Sequence, residues 1–367
     1  MDASALRLAL VGPLPPPFGG MANQTRQLAE LLRGEGVAVE VVRVNAPYRP
    51  AWIERVRGLR ALFRLVPYLL RLWRAAGRNE LFHIMANSGW SWHLFAAPAI
   101  WIAKMRGKSV VVNYRGGEAG EFFARSFAWV KPSLDKADAI VVPSGFLGGI
   151  FGRRGYAARI VPNIVNLEHF SPGAPDISAP HILVARNLEK LYDNASALRA
   201  FALIRQRQPT ARLTIAGSGP EREALHALAR ELGVAEAVTF AGRVENSDMP
   251  ALYKTVSIAL NPSLADNMPI SVLEALAGGV PVVSTNVGGV PFLVEDEKTA
   301  LLVPPADHEA MARACLRLLE ERDLSARLVA AGQSLAREFA WSQVRGKLFA
   351  VYNDVLGSRR LPVAEVR

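Results

Sequence analysis

The sequence predicts two α/β domains, each a parallel sheet wound by helices in the Rossmann manner, facing each other across a cleft. Three observations carry this. Short apolar, β-branched runs alternate throughout with helix-period segments, broken by Gly, Pro or Asn, which is the pattern of parallel α/β architecture. The chain has 367 residues, more than one hydrophobic core ordinarily reaches (roughly 250–300 residues). A helix-poor stretch from Pro162 to Pro180 separates two complete cycles of the alternation, as a linker does.

The first cycle places strands at 6–11, 37–44, 81–85, 109–113, 139–142 and 159–161. The second places them at 181–185, 212–217, 237–242, 257–263 and 280–285, and helices close the chain from Ala306 onward. Domains are expected at 1–168 and 169–344, with 345–367 packing back on the first. In doubly wound sheets ligands bind beyond the carboxyl ends of the strands, so residues just after each strand are the candidates.

Composition narrows the function. The single cysteine, Cys315, forms no intramolecular disulfide and no Cys-based zinc site, which fits a reducing, cytoplasmic setting, and it reads as a small buried apolar residue on a helix. The longest apolar run, Leu94–Ala103, has ten residues, about half of what a bilayer span requires. No secretion signal is evident. The net charge is +10 and lies entirely in the first half: residues 1–170 hold 22 Lys/Arg against 11 Asp/Glu, residues 171–367 hold 21 against 22. Residues 49–78 contain eight arginines and one acid, Glu54, a concentration that implies an anionic partner.

Within that segment Arg57, Arg60, Arg64, Arg71, Arg74 and Arg78 share one helical face, opposite Leu62, Leu65, Val66, Leu69 and Trp73. Pro67 is expected to divide it into two helices. A basic amphipathic pair bearing aromatic residues resembles a contact for an anionic membrane surface, against the plainer reading of a solvated arginine face. No nucleic-acid motif accompanies the charge, so nucleic acid is not an expected partner.

The strand-end loops supply the remaining candidates. Gly19 and Gly20 precede a helix near Met21–Arg33, where glycine admits close approach and helix N–H groups favour phosphate; a plain Pro-rich loop is the alternative. Arg186 and Lys190 follow the HILVA strand and suit a diphosphate, the alternative being solvation or an Arg186–Glu189 pair. Gly217-Ser218-Gly219-Pro220 is a tight turn with Pro220 placed for the first helical position, able to back a nucleotide or simply to connect strand and helix. Between Asn261 and Pro281, Pro269 marks a helix start and Gly278-Gly279 its end, so N–H groups around Asn267, Met268, Pro269 and Ile270 make an anion site. Glu274 then sits inside an apolar helix and needs a partner, which paired ribose hydroxyls match. Asp266 is a ligand group or an N-cap. His83 and His93, flanking Asn87-Ser88-Gly89-Trp90, read as structural.

Together these pieces resemble the large retaining GT-B glycosyltransferase family called group 1, or family four, over essentially the whole chain. The likeness rests on PFGGM (17–21), VPNIVNLEHFSP (161–172), IAGSGPERE (215–223), FAGRVENSDMPALYKTVSIALNPS (240–263) and LEALAGGVPVVSTNVGGVPFLV (273–294), in that order. It implies that Arg186 and a nearby lysine grip a donor diphosphate, with Lys190 close by and Tyr192 nearer the expected lysine position. It implies too that Glu274 holds the ribose, that Gly242-Arg243-Val244 frames the base, and that the 266–270 loop contacts the sugar. Two departures stand out. Asp266 takes the place of the first of two glutamates usual in the family, and Arg115, with Glu118 beyond it, stands where many relatives place a histidine.

The expected reaction is attack of an acceptor hydroxyl, on a lipid-linked or cell-envelope glycan, at the anomeric carbon of a nucleotide sugar. UDP is the favoured nucleotide, and configuration is expected to be retained. No metal or other cofactor is expected, the nucleotide sugar being a co-substrate, and the protein is expected on the inner membrane face. An epimerase or hydrolase of the same fold, or a non-catalytic nucleotide-sugar sensor, are the alternatives.

Overall fold

The β-branched runs expected to pair as parallel strands do so in a computed structural model, which describes residues 6–16, 19–48, 59–176 and 178–360. The side chains of 59–62 and 358–360 fall outside that description. The first cycle comprises β1 (Arg7–Gly12), α1 (Gly20–Gly34), β2 (Ala38–Arg43), α2 (Leu59–Arg78), β3 (Leu81–Ala86), α3 (Ala97–Met105), β4 (Ser109–Tyr114), α4 (Ala119–Leu134), β5 (Ala139–Val142), α5 (Gly145–Gly152) and β6 (Ala158–Ile160). The second comprises β7 (His181–Ala185), α6 (Asn194–Arg207), β8 (Arg212–Ala216), α7 (Arg222–Glu231), β9 (Val238–Gly242), α8 (Met249–Tyr253), β10 (Ile258–Asn261), α9 (Ile270–Ala277), β11 (Val282–Thr285), β12 (Leu301–Val303), α10 (His308–Glu320) and α11 (Arg322–Arg337). A last helix, α12 (Trp341–Arg360), closes the described chain.

Two six-stranded sheets result, in the orders β2-β1-β3-β4-β5-β6 and β12-β11-β10-β7-β8-β9, with every strand pair parallel. The chain divides into two compact units, Met1–Pro162 with Arg345–Arg367, and Asn163–Val344. β3 and β4 are buried along their whole length, as expected of strands covered by helices on both faces. One face of this sheet carries Phe82, Ile84, Val110, Val112 and Tyr114 into a core with Trp92, Phe123 and Phe151. Two helices of the second unit, α6 and α10, start on aspartate side-chain caps. Asp193 accepts from the amide of Ser196, and Asp307 from that of Ala310, satisfying donors that the first turn leaves without helical acceptors.

Three expectations change. Pro67 does not divide the basic segment, because α2 runs through it as a single helix. The proline removes one amide donor beside the carbonyl of Phe63, which is exposed and open to water, while Tyr68, Leu72, Ala75 and Ala76 hold the opposite face in the core. Pro220 is not the first helical residue, since α7 begins at Arg222. The edge strand β12 was not expected; three residues are too few to show a period.

Candidate functional site

Three of the second-unit candidates, Arg186, Asp266 and Glu274, come together. β7 delivers Arg186 to the sheet's carboxyl edge, where its Nε donates to Asn261 Oδ1 at 2.8 Å. Asn261 ends β10, directly opposite Ser284 of β11, and its Nδ2 donates to Ser284 Oγ at 2.9 Å. Ser263 Oγ donates to the same Asn261 oxygen at 2.7 Å, and Thr285 Oγ1 donates to the Ser263 carbonyl at 2.6 Å. The guanidinium is therefore fixed by a buried amide whose every partner is fixed in turn.

Its outer edge meets Asp266. Arg186 Nη2 lies 2.6 Å from Asp266 Oδ2, each side chain 12% exposed, yet neither atom has an aligned hydrogen bond. The contact is a charge pair off the N–H direction and weaker than a forked bidentate pair. The other Asp266 oxygen accepts from the Asn267 amide at 2.8 Å. Asp266 is thus no N-cap of α9, a position that Pro269 occupies without side-chain capping. Its carboxylate sits where an incoming anion would meet both Arg186 and the loop amide.

Glu274 lies on α9 beside Tyr253, whose hydroxyl donates to the Ser271 carbonyl at 2.9 Å and lies 3.5 Å from Glu274 Oε2. Burial lifts the Glu274 carboxyl to about 7, against the opposing pull of the Tyr253 hydroxyl and the Arg186 charge. Arg186, Asp266, Tyr253 and Glu274 therefore form one electrostatic unit. A small pocket opens beside it between Tyr253, Asn261 and Ser271.

Lys190 and Tyr192 separate here. Tyr192 packs beside Arg186, the guanidinium carbon 5.4 Å from its ring centroid, whereas Lys190 is exposed and makes no ion pair among the described residues. Arg186 pairs with Asp266 and not with Glu189, which accepts from Asn187. Arg243 is exposed and contacts Glu245, while Val244 packs against the core. Met268 is buried, and its carbonyl accepts from Asn163 Nδ2 at 2.8 Å.

The glycines have a structural reason of their own. A Cβ on Gly217 would lie 1.9 Å from the Arg186 carbonyl oxygen, and one on Gly219 would lie 2.4 Å from that of Leu188. The 217–219 turn is also bonded to the β7 crest through Leu188 N–H and Ser218 O at 3.1 Å. Gly289, absent from the sequence-based candidates, backs the Asn267 carbonyl in the same way, at 1.8 Å. Its signal was present in the NVGGV run. Tyr253 and Ser284 were also missed, and Asn261 opens the 261–281 stretch without a role of its own, because nothing in their local sequence sets them apart from strand and helix residues.

In the first unit, Gly19 precedes α1 and Gly20 is its first residue. A Cβ at either would touch nothing within 4 Å. Arg115 follows β4, largely enclosed by protein, with Nε donating to Asn113 Oδ1 at 3.0 Å and Nη1 to Gln24 Oε1 at 3.4 Å. Burial brings its guanidinium down to about 10, so it stays charged at neutral pH. Glu118 is exposed at the start of α4. His83 is wholly buried.

The basic segment is only partly available. Arg57 lies outside the described residues, as does the side chain of Arg60. Arg64 stacks 4.3 Å over Tyr48, and Arg78 pairs with Glu40. Arg71 and Arg74 are exposed, as are Phe63, Val66, Leu69, Leu70 and Trp73. Trp73 lies under the Arg106 guanidinium at 4.7 Å. Among the described residues no helix is long and apolar enough to cross a membrane, and no three His, Cys, Asp or Glu side chains gather as metal ligands.

Comparison with known proteins settles the family. The model described as "Glycosyl transferases group 1" matches residues 169–335, and that described as "Glycosyltransferase Family 4" matches residues 18–169. The chain belongs to the group 1, family four glycosyltransferases. A D-inositol 3-phosphate glycosyltransferase of Salinispora tropica is 29% identical, covering 80% of this chain and 67% of that protein. A GDP-mannose-dependent alpha-(1-6)-phosphatidylinositol monomannoside mannosyltransferase of Mycobacterium tuberculosis is 35% identical over 41% of each chain. Among solved structures, sucrose-phosphate synthase from Thermosynechococcus elongatus superimposes with TM-score 0.79 at 20% identity, covering 96% of this chain and all of that one. Anabaena HepE in complex with UDP gives 0.73 at 17%, covering 95% and 100%. This glycosyltransferase therefore carries two α/β units of the kind that its structural neighbours share.

Proposed function

We propose that this enzyme transfers a sugar, with retention, from a nucleotide diphosphate sugar to a hydroxyl of a lipid-linked or envelope glycan acceptor held at an anionic membrane surface. The observation that carries the proposal is the Arg186 guanidinium, oriented by Asn261 and meeting Asp266 off-axis beside Glu274. A diphosphate offers Arg186 more negative charge and forked acceptor geometry, so it displaces the Asp266 carboxylate. The first-turn amides of α9 lack helical acceptors and add their partial positive charge. As the bond to the anomeric carbon breaks, this charge stabilises the leaving phosphate in an enclosed site.

Glu274 accepts from the two ribose hydroxyls, which favours its ionised form over the protonated one that burial favours. Arg115 stays charged and acts on the acceptor by position, not by carrying a proton. The departing phosphate oxygen takes the acceptor's proton on the same face, which accounts for retention without a protein base. The design uses no cofactor and no metal. UDP is the favoured nucleotide, in line with the ligand of HepE; the mycobacterial relative is named for GDP-mannose. Gly19 and Gly20, which no described neighbour requires to lack a side chain, fit a helix start left open for a ligand.

The exposed apolar face of α2, flanked by Arg71 and Arg74, supplies the membrane contact. Apolar residues enter the headgroup boundary while the arginines meet anionic lipid. The function is tested by incubating the protein with UDP- and GDP-sugars, with and without a lipid extract. Nucleotide release that depends on the extract, with sugar recovered in lipid, supports the proposal. Equal release without acceptor points to a hydrolase or epimerase, and binding without turnover to a sensor.

A further inference from the structure

His83 and Asn113 are polar side chains on neighbouring central strands that are otherwise mostly apolar. Strand alternation puts them on the same sheet face, away from the aromatic core, and both are at most 1% exposed. Apolar residues would pack there without desolvating a ring nitrogen and an amide. Asn113 Nδ2 lies 2.9 Å from His83 Nε2, and His83 Nδ1 lies 2.7 Å from the hydroxyl of Tyr352 on α12. The Tyr352 ring meets the imidazole edge-on, centroids 5.8 Å apart at 89°.

The chain has a single direction. Arg115 Nε can only donate, so Asn113 Oδ1 accepts and Asn113 Nδ2 donates to His83 Nε2. The imidazole proton is then on Nδ1, which donates to the Tyr352 oxygen. Burial and the Arg115 charge both oppose a second proton, holding the imidazole at about 3, so this polarity persists at any working pH. Tyr352 belongs to a helix tied to the same unit by Arg345–Glu35 and Arg159–Asp354 pairs.

We infer that Asn113, His83 and Tyr352 are positioning residues, a buried hydrogen-bonded chain that holds the Arg115 guanidinium in one orientation for the acceptor. The C-terminal helix is then part of the acceptor-side machinery. This rests on the reading above that Arg115 meets substrate. An arginine side chain is long and mobile, so its orientation needs external support.

The test compares four variants in the lipid-extract assay, with turnover and donor KM measured on folded protein. Arg115→Ala sets the benchmark. His83→Leu removes the acceptor for the Asn113 amide, His83→Gln restores one near the Nε2 position, and Tyr352→Phe removes the far end. Turnover is expected to fall about tenfold in His83→Leu and about threefold in Tyr352→Phe, as lost buried hydrogen bonds allow. His83→Gln is expected within about twofold of wild type, and donor KM should change little in any variant. Wild-type turnover in Arg115→Ala overturns the role given to Arg115. A slow Arg115→Ala with equal turnover in His83→Leu and His83→Gln overturns the positioning chain instead. Should His83→Leu not fold, Tyr352→Phe decides: full turnover with a lowered melting temperature makes the chain merely structural.

Discussion

Replacing Glu274 by Gln separates the electrostatics of the donor site from its chemistry. Burial moves this carboxyl from 4.5 to about 7. Below about pH 4.5 it is protonated in both folded and unfolded chains, and the variant should match wild type there. As pH rises through the interval, the unfolded chain ionises while the folded one keeps its proton, so wild type loses stability relative to the variant until about pH 7. At about 1.4 kcal/mol per tenfold change in proton affinity, full enclosure would make the loss about 3 kcal/mol. The residue is partly accessible, and solvent screening reduces this to about 2 kcal/mol. Denaturant unfolding of both proteins from pH 5 to 8 reads it directly, with Glu274→Gln the more stable at pH 8. UDP adds a second measurement. Ribose hydroxyls prefer the carboxylate, so wild-type affinity should rise through pH 7 while the variant's stays flat and lower. A constant separation between the two unfolding curves across the whole range would refute the argument.

Arg186→Ala should lower donor kcat/KM about tenfold or more, and Asn261→Leu about threefold to tenfold, because the second loses only the orientation of the first; steady-state kinetics at fixed acceptor checks both. Asp266→Asn should bind UDP more tightly than wild type by calorimetry, since a neutral amide no longer competes for Arg186, and weaker binding would contradict the displacement step. Gly217→Ala should unfold at least about 2 kcal/mol earlier, because its methyl group would meet the Arg186 carbonyl. Neutralising Arg71 and Arg74 should reduce co-sedimentation with anionic vesicles roughly 30-fold, at about 1 kcal/mol per arginine, and equal sedimentation with neutral lipid would remove the membrane contact from the proposal.

The second-unit loops were legible because each follows the end of a strand, and those at 217–220 and 262–269 also carry Gly or Pro. Pro269 and Gly278 delimit α9 as expected, and Arg186 and Glu274 act on one another. What the local sequence withheld was partnership. Arg186 and Asn261 are 75 residues apart, and His83 and Tyr352 are 269 apart, so no window along the chain contains either pair. The sequence leaves the 217–219 glycines open between backing a nucleotide and connecting strand to helix; in the structure their first constraint is the backbone of the neighbouring loop. In α2 the arginines look equivalent on a helical wheel, but Glu40 engages Arg78 and Tyr48 covers Arg64.

By itself the sequence determined the two cycles of strand and helix, the parallel sheets and the crest loops, because period and turn chemistry are properties of consecutive residues. It also determined that the excess positive charge lies in the first half. Only the tertiary structure decided that Asp266 occupies the face of Arg186 turned toward the α9 loop, that Tyr192 lies beside that guanidinium, and that Arg115 is backed by a chain reaching α12. Those choices depend on which strands become neighbours, and the energy of burying a polar group is set by partners that folding brings from elsewhere in the chain.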